Sequence, residues 1–225
     1  MSANCARIRR ARPLLGTLVE IRGQGANAER ALERAFRAIG RVHRAMSAQE
    51  STSDIARLRA GRRAGLDPWT RRVLERAEEI RIATEGLFDC LACDFALDGI
   101  AKGFAVDRAT EELQAAGMKA GAVNAGGDLR LFGTELQDVY VRAPGAEQRL
   151  VDIGRTRDAA VATSGSALLI DPRRARHMRV PAGVTVIAAD CMTADALTKP
   201  CMLDPGRAKE IAAQFGAHVL VFGAP

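Results

Sequence analysis

The sequence lacks any apolar run that approaches the roughly 18 residues required by a membrane-spanning helix. Its longest apolar runs, residues 184–189 and 217–223, are far shorter. Residues 1–10 are partly basic but lack the apolar segment of roughly 7–15 residues that an export signal contains. We therefore expect no membrane span, and the sequence predicts a cytoplasmic protein.

Aromatic residues and paired cysteines are also scarce. One Trp and one Tyr among 225 residues do not make the stacking surface that single-stranded nucleic acids bind. The net charge is +6, but arginines are interspersed with glutamates along residues 71–79, a pattern typical of a solvated helix face. Of the five cysteines, only Cys90 and Cys93 have C-x-x-C spacing, and no second pair completes a zinc site. We expect no nucleic-acid partner, whereas a site for a smaller anion fits the positive charge.

The composition, 48% hydrophobic and 27% charged, is that of a globular protein, and the length predicts a single domain over residues 1–225. Helical periodicity and capping residues predict helices at residues 28–46, 54–60, 68–84, 100–116 and 205–215. Alternating or β-branched patterns predict strands at residues 14–22, 121–123, 129–132, 139–142, 150–153, 184–189 and 218–222. Most strand connections are too short for crossover helices, which favours an α+β fold with a mixed, largely antiparallel sheet and packed helices.

A glycine-containing segment, residues 97–103, precedes and enters a predicted helix. First-turn N–H groups of a helix attract anions, and Lys102 would add positive charge for a phosphate or a carboxylate. The same residues are equally compatible with a simple loop and a solvated lysine. None of the three histidines, His43, His177 and His218, has a partner pattern of a catalytic triad, so we expect them to be structural or solvated.

Three further segments offer polar groups. Residues 123–129 contain two adjacent glycines, which form either a ligand-binding turn or a plain hairpin turn. Residues 163–166 supply hydroxyl groups suited to a phosphate or to a helix cap. In the third segment, Thr193 is predicted to cap a helix on which Asp195 and Thr198 present oxygens of the type that Mg²⁺ binds.

In this order, these segments resemble those of the FAD:protein FMN transferases, the ApbE family. The resemblance extends from near Pro13 to near Leu203. It rests on six motifs, which are Leu15-Gly16-Thr17, Met46-Ser47 with Ser53-Asp54-Ile55-Ala56-Arg57-Leu58, Phe88-Asp89, the stretch from Asp98 to Asp107, Asn124-Ala125-Gly126-Gly127-Asp128-Leu129, and Ala194-Asp195-Ala196-Leu197. Each motif alone is weak, whereas the ordered set is specific.

The resemblance implies an α+β domain that binds FAD with Mg²⁺ bridging its pyrophosphate. Such an enzyme transfers FMN to a threonine or serine hydroxyl of an acceptor flavoprotein and releases AMP. Carried over by position, Lys102 and Asp195 would be catalytic, and Gly99 and Asp195 would bind the metal. Thr198, one place before the position of the family's metal-binding threonine, would be a third metal ligand. The positions expected to bind FAD are Leu15, Gly16, Thr17, Phe88, Asp89, Asp98, Lys102, Asn124, Gly126, Gly127, Asp128, Ser164, Gly165 and Asp171.

The sequence departs from the family pattern in several places. The stretch from Asp89 to Asp98 is much shorter than in relatives, and Leu168 replaces the family histidine. Lys199 aligns with the metal-binding threonine, so it would pair with Asp195 at i,i+4 and replace the ion with its own charge. These departures leave two alternatives open, a non-catalytic flavin-binding or flavin-delivery protein and an FAD pyrophosphate hydrolase.

Overall fold

The computed structural model describes residues 6–143, 146–165, 167–180 and 183–222. The helices in these ranges are α1 (Ala28–Met46), α2 (Asp54–Arg59), α3 (Pro68–Ala83), α4 (Ala101–Ala115), α5 (Cys191–Leu203) and α6 (Ala208–Ala213). The strands are β1 (Ala6–Leu14), β2 (Thr17–Gly25), β3 (Met118–Ala125), β4 (Asp128–Phe132), β5 (Gln137–Ala143), β6 (Ala146–Thr156), β7 (Ala159–Ser164), β8 (Ala167–Asp171), β9 (Arg176–Val180), β10 (Gly183–Ala188) and β11 (His218–Phe222).

Seven strands form the central sheet in the order β1-β2-β3-β4-β7-β10-β11. Each neighbouring pair in this sheet is antiparallel. Strands β5 and β6 form a separate two-stranded ribbon, and β8 and β9 form another. The predicted α+β class with a largely antiparallel sheet is confirmed, because tight turns such as the one from β3 to β4 leave no room for a crossover helix.

Both faces of the central sheet are buried, because successive residues of a strand point to opposite sides. In β3, Val123 belongs to the main core, where the sheet packs against α1, α4 and α5. Its neighbour Ala122 belongs to a second cluster that includes Val139 and Val141 of β5. The β5–β6 ribbon therefore covers the face opposite the helices, and α4 and α5 are anchored in the main core.

The helices begin where the sequence supplies suitable first residues. As predicted, Ser53 accepts a hydrogen bond from the backbone N–H of Ala56 at the start of α2, and Pro68 opens α3. Helix α1 occupies the predicted range, with buried residues at three- and four-residue spacing. Within the described ranges, none of the helices combines the length and the apolar character needed to cross a membrane.

The predicted strand at residues 14–22 is wrong at its start, because a turn interrupts it. Leu15 and Gly16 have φ values of 55° and 70°, and they join β1 to β2 as a hairpin. Strand β1 has no apolar alternation because it is rich in arginine. Those charges are accommodated by neighbouring glutamates, as in the 2.7 Å contact between Arg10 and Glu29.

The predicted cap at Thr193 is also wrong. Helix α5 begins at Cys191, and its N-cap residue is Asp190, whose Oδ1 accepts from the backbone N–H of Thr193 at 2.8 Å. Asp195 therefore lies beyond the first turn, where the helix dipole no longer favours a carboxylate strongly. Helix α6 is shorter than the predicted range 205–215, and β7, β8 and β9 were not predicted, since they are short and lack a clear alternation.

Candidate functional site

Several segments singled out in the sequence meet at one end of the central sheet. The β1–β2 and β3–β4 turns share this end because β2 and β3 are antiparallel neighbours. Asp128, the first residue of β4, lies opposite Ala162 of β7, so the end of β7 and the exposed Gly165 after it lie here as well. We call this region the turn end of the sheet, defined by Leu15, Gly16, Gly126, Gly127 and Ser164.

Helix α4 delivers Lys102 to the turn end. Its Nζ lies 2.9 Å from Oδ2 of Asp128. Burial and the nearby Asp195 raise the pKa of Asp128 well above its usual range. Burial lowers the pKa of Lys102, but Asp128 and Asp195 outweigh that effect, and the net pKa is raised. Lys102 is therefore protonated, and its side chain, 29% exposed, is accessible to a ligand.

A cavity of about 480 Å³ lies beside Lys102, within the range of roughly 300–1,000 Å³ typical of small-molecule sites. Of the predicted FAD-binding residues, Leu15, Gly16 and Asp98 also line it. His43 of α1 also lines the cavity, because packing of α1 on α4 brings it there; its predicted structural or solvated role stays a prediction. Cavities of about 580 Å³ and 640 Å³ elsewhere contain none of the predicted site residues.

Close packing of α4 against α5 holds Asp195 in the core. Asp195 is 1% exposed, and its carboxylate accepts a hydrogen bond from the backbone N–H of Gly103 at 3.0 Å. A Cβ atom at position 103 would lie only 2.2 Å from the carbonyl oxygen of Cys191. Glycine is therefore required at this position, and it fixes Asp195 beside the first turn of α4.

A second carboxylate, Asp107 of α4, caps the N-terminus of α5. Its two oxygens accept hydrogen bonds from the backbone N–H groups of Cys191 and Met192, each at 2.8 Å. Burial raises the pKa of Asp107 to about 6. Asp107 lies within the family motif from Asp98 to Asp107, but no local pattern predicts this capping role, because the N-terminus that it caps lies 84 residues further along the chain.

The three predicted metal ligands come together, but they surround the side chain of Lys199. Its Nζ lies 3.8 Å from Oδ1 of Asp195 and donates to Oγ1 of Thr198 at 3.0 Å and to Oγ of Ser164 at 3.1 Å. A Cβ atom on Gly99 would lie 3.4 Å from Cγ and Cε of Lys199. An ammonium group therefore lies where the resemblance predicted a metal ion.

The predicted Mg²⁺ site does not fit this arrangement. A hydroxyl group has one hydrogen and two acceptor lone pairs, and Thr198 uses all of them. Its Oγ1 donates to the carbonyl oxygen of Asp195 at 2.7 Å and accepts from Ser164 at 3.0 Å and from Lys199. Across the described part of the chain, no group of three His, Cys, Asp or Glu residues could hold a metal ion. Coordination by Gly99, Asp195 and Thr198 would require Lys199 to move away.

The β3–β4 turn is a tight hairpin turn. Gly126 and Gly127 have φ values of 62° and 105°, which glycine adopts without strain. Oδ1 of Asn124 accepts from the backbone N–H of Gly127 at 3.1 Å. A Cβ atom on Gly126 would lie 2.6 Å from the hydroxyl of Thr17, so this turn packs closely against the start of β2. Of the predicted FAD-binding residues here, Asn124, Gly126 and Gly127 are exposed at the turn end, whereas Asp128 is buried.

Ten of the fourteen predicted FAD-binding residues do not line the 480 Å³ cavity, among them Phe88, Asp89 and Asp171. Phe88 is buried in the main core. Oδ1 of Asp89 accepts hydrogen bonds from the backbone N–H groups of residues 91 and 92, and so closes a local turn. Asp171 is buried at the end of β8, where it accepts from the backbone N–H of Arg173. All three contribute to local structure.

Comparison with known families covers nearly the whole chain. The model of the ApbE family matches residues 15–95 and 92–221. The chain belongs to the ApbE family. The two matched stretches of this ApbE chain meet at residues 92–95, within the short connection between α3 and α4.

Individual ApbE proteins resemble the chain to different extents. The FAD:protein FMN transferase of Vibrio cholerae serotype O1 is 35% identical over 126 residues, a match that covers 48% of this chain and 37% of the relative's length. The solved structure of the flavin transferase ApbE from Vibrio cholerae matches with a TM-score of 0.82 at 21% identity, covering 96% of this chain and 93% of that one. An ApbE protein from Thermotoga maritima matches with a TM-score of 0.80 at 22% identity, over 96% and 94% of the two chains. These structures share the fold.

Proposed function

We propose that this chain transfers FMN from FAD to the hydroxyl of a threonine or serine in an acceptor flavoprotein and releases AMP. The observation that carries the proposal is the position of Lys102, which belongs to the family motif and lines a cavity at the turn end. A protonated amine next to a helix N-terminus suits a pyrophosphate. The relative named FAD:protein FMN transferase, which matches 126 residues of this chain, supports the same chemistry.

The proposal assigns binding and charge stabilisation to the turn end. Lys102 binds the phosphates, while Leu15, Gly16 and Asp98 line the cavity that takes one part of the nucleotide. Asp195, held by the Gly103 N–H group, orients the charged groups behind them. Positioning and preorganised charge are the main requirements for transfer of a phosphoryl-type group, so no nucleophile from this chain is needed.

In the transfer, the acceptor hydroxyl oxygen bonds to the phosphorus atom of the FMN half of FAD. The bond from that phosphorus to the bridging oxygen breaks, and the bridging oxygen leaves with AMP. The proton of the hydroxyl is taken up by the released phosphate, so the products are AMP and an acceptor carrying FMN in a phosphodiester. Ammonium groups at the turn end would stabilise the negative charge that builds on the leaving phosphate.

The two alternatives use the same site but give different products. An FAD pyrophosphate hydrolase would transfer the FMN half to water and release free FMN with AMP. A flavin-binding or flavin-delivery protein would bind FAD and release it unchanged. Both alternatives are tested because the chain departs from the family pattern at two places of the site. Lys199 lies beside Asp195, and the connection between α3 and α4 is short.

An FAD titration followed by flavin fluorescence tests the position of the site. Glu50 is exposed on the wall of the 480 Å³ cavity, and Glu75 is exposed on the wall of the 580 Å³ cavity. We expect Glu50→Trp to weaken FAD binding because the indole fills the first cavity, whereas the matched control Glu75→Trp should bind like the wild type. Equal binding by the two variants would place the nucleotide elsewhere. Chromatography of the products formed with an acceptor protein present separates the three functions.

A further inference from the structure

The side chain of Lys199 is held in one position by polar contacts at the turn end. Thr198, which is fully buried, and Ser164 accept hydrogen bonds from its Nζ, and Asp195 faces it from the preceding turn of α5. We propose that Lys199 is a built-in cation, whose ammonium group takes the place of a divalent metal ion at the pyrophosphate of FAD. This inference rests on the proposed function and concerns the same site.

The ammonium group of Lys199 has a donor left for a ligand. A lysine ammonium carries three N–H donors, and two of them are directed to Thr198 and Ser164. The distance of 3.8 Å to Asp195 is too long for a hydrogen bond, although it keeps the opposite charges close. The Lys199 side chain is 29% exposed, so its third donor is accessible to a phosphate oxygen.

A metal ion on the carboxylate of Asp195 would compete with the side chain of Lys199 for the same space. Its Oδ2 accepts the backbone N–H of Gly103, and its Oδ1 faces the Lys199 ammonium. A divalent cation on Oδ1 would lie close to that ammonium in a poorly hydrated region, where the two positive charges repel strongly. Lys102 adds another positive charge near Asp195. The two groups are close enough that the Asp195 carboxylate helps to raise the pKa of Lys102.

Metal binding and FAD binding by the 225-residue chain test the inference together. Mn²⁺, used as a spectroscopic substitute for Mg²⁺, is titrated into the metal-free protein and followed by electron paramagnetic resonance. FAD affinity is then measured in buffer with Mg²⁺ and in buffer with a chelator. The variants are Lys199→Met, which removes the charge at similar length, and Lys199→Thr, which vacates the space between Asp195 and Gly99. Lys209→Met on the exposed face of α6 is the matched control.

We expect the wild type and Lys209→Met to show no saturable Mn²⁺ site and the same FAD affinity in both buffers. Lys199→Met should lose about tenfold or more in FAD affinity, as expected for loss of one charged hydrogen bond. Lys199→Thr should gain a saturable Mn²⁺ site and bind FAD only with Mg²⁺.

Three results from the wild type and Lys199→Met would each overturn the inference. Two concern the wild type, a saturable Mn²⁺ site and FAD binding that depends on Mg²⁺. The third is an FAD affinity of Lys199→Met in chelator that equals that of the wild type. The proposed function fails in a different way, since FAD would then bind as expected but yield neither AMP nor protein-bound flavin.

Discussion

Replacement of Gly103 by alanine tests the packing that holds Asp195. Alanine is favoured over glycine inside a helix by about 1 kcal/mol, so the change alone would stabilise α4. However, the new Cβ atom would lie 2.2 Å from the carbonyl oxygen of Cys191 and 2.9 Å from Cβ of Asp195. Because non-bonded heavy atoms settle at roughly 3.5 Å, α4 and α5 must separate by roughly 1 Å.

The separation has two energetic consequences. Overpacking of this kind lowers the free energy of unfolding by about 1–3 kcal/mol, and stretching the Gly103 N–H bond to the Asp195 carboxylate removes about 1.5–3 kcal/mol more. After the gain in helix propensity, Gly103→Ala should lower the free energy of unfolding by about 1.5–5 kcal/mol. In a chain of this length the Tm should fall by roughly 3–20 °C.

Urea unfolding of Gly103→Ala and of a matched control measures this effect. Gly40 lies within α1, and a Cβ atom there would meet only the flexible end of Arg44, at 3.4 Å. Gly40→Ala should therefore raise the free energy of unfolding by about 0.5–1 kcal/mol. If Gly103→Ala stabilised the protein as much as Gly40→Ala does, the close approach of α4 and α5 would be refuted.

Three further predictions concern buried polar groups. Lys102→Met leaves buried Asp128 without its ion partner and should lower the free energy of unfolding, measured in urea, by about 3–5 kcal/mol. The double variant Lys102→Met/Asp128→Leu should recover most of this loss, because no buried charge is left unpaired. A double variant as unstable as Lys102→Met would contradict the prediction. Burial raises the pKa of Asp107 to about 6 in the folded chain. The folded state therefore binds a proton on this carboxyl more tightly than the unfolded state does. As a result, the contribution of Asp107 to the free energy of unfolding falls as the pH rises from about 4 to 6. Asp107→Asn should remove about 3 kcal/mol of this pH dependence, and an unfolding profile parallel to that of the wild type would argue against it. Iodoacetamide should modify the partly exposed Cys93 before the buried Cys191, as measured by peptide mass spectrometry. The thiolate is the reactive form, and burial raises the pKa of both thiols, that of Cys191 more than that of Cys93. Faster labelling of Cys191 would show that α5 opens readily.

The fold was predictable where one local pattern dominates. Helix α1 follows from its apolar spacing because a single stripe faces the core. Strand β1 has no such pattern, since its arginines are stabilised by glutamates from β2 and α1, including Glu20 and Glu29. Cytoplasmic location, the absence of a nucleic-acid partner and a single domain over residues 1–225 stay predictions.

The site was predictable as a set of motifs but not as a set of contacts. The i,i+4 spacing indicated that Lys199 and Asp195 would pair, and they face each other at 3.8 Å. The contact of Lys199 with Ser164 spans 35 residues and depends on the packing of α5 against β7. His43 reaches the cavity only because α1 packs on α4, which no pattern within α1 indicates.

The most direct test of the account is the molar ratio of AMP to protein-bound flavin formed from FAD. The purified chain is incubated with FAD and with a desalted extract of the cells that naturally produce it, which supplies the acceptor protein. AMP and free FMN are then quantified by chromatography, and protein-bound flavin is quantified by in-gel fluorescence. The account predicts equal amounts of AMP and bound flavin, and neither product with Lys102→Met/Asp128→Leu. AMP accompanied by free FMN in place of bound flavin would contradict transfer to a protein acceptor.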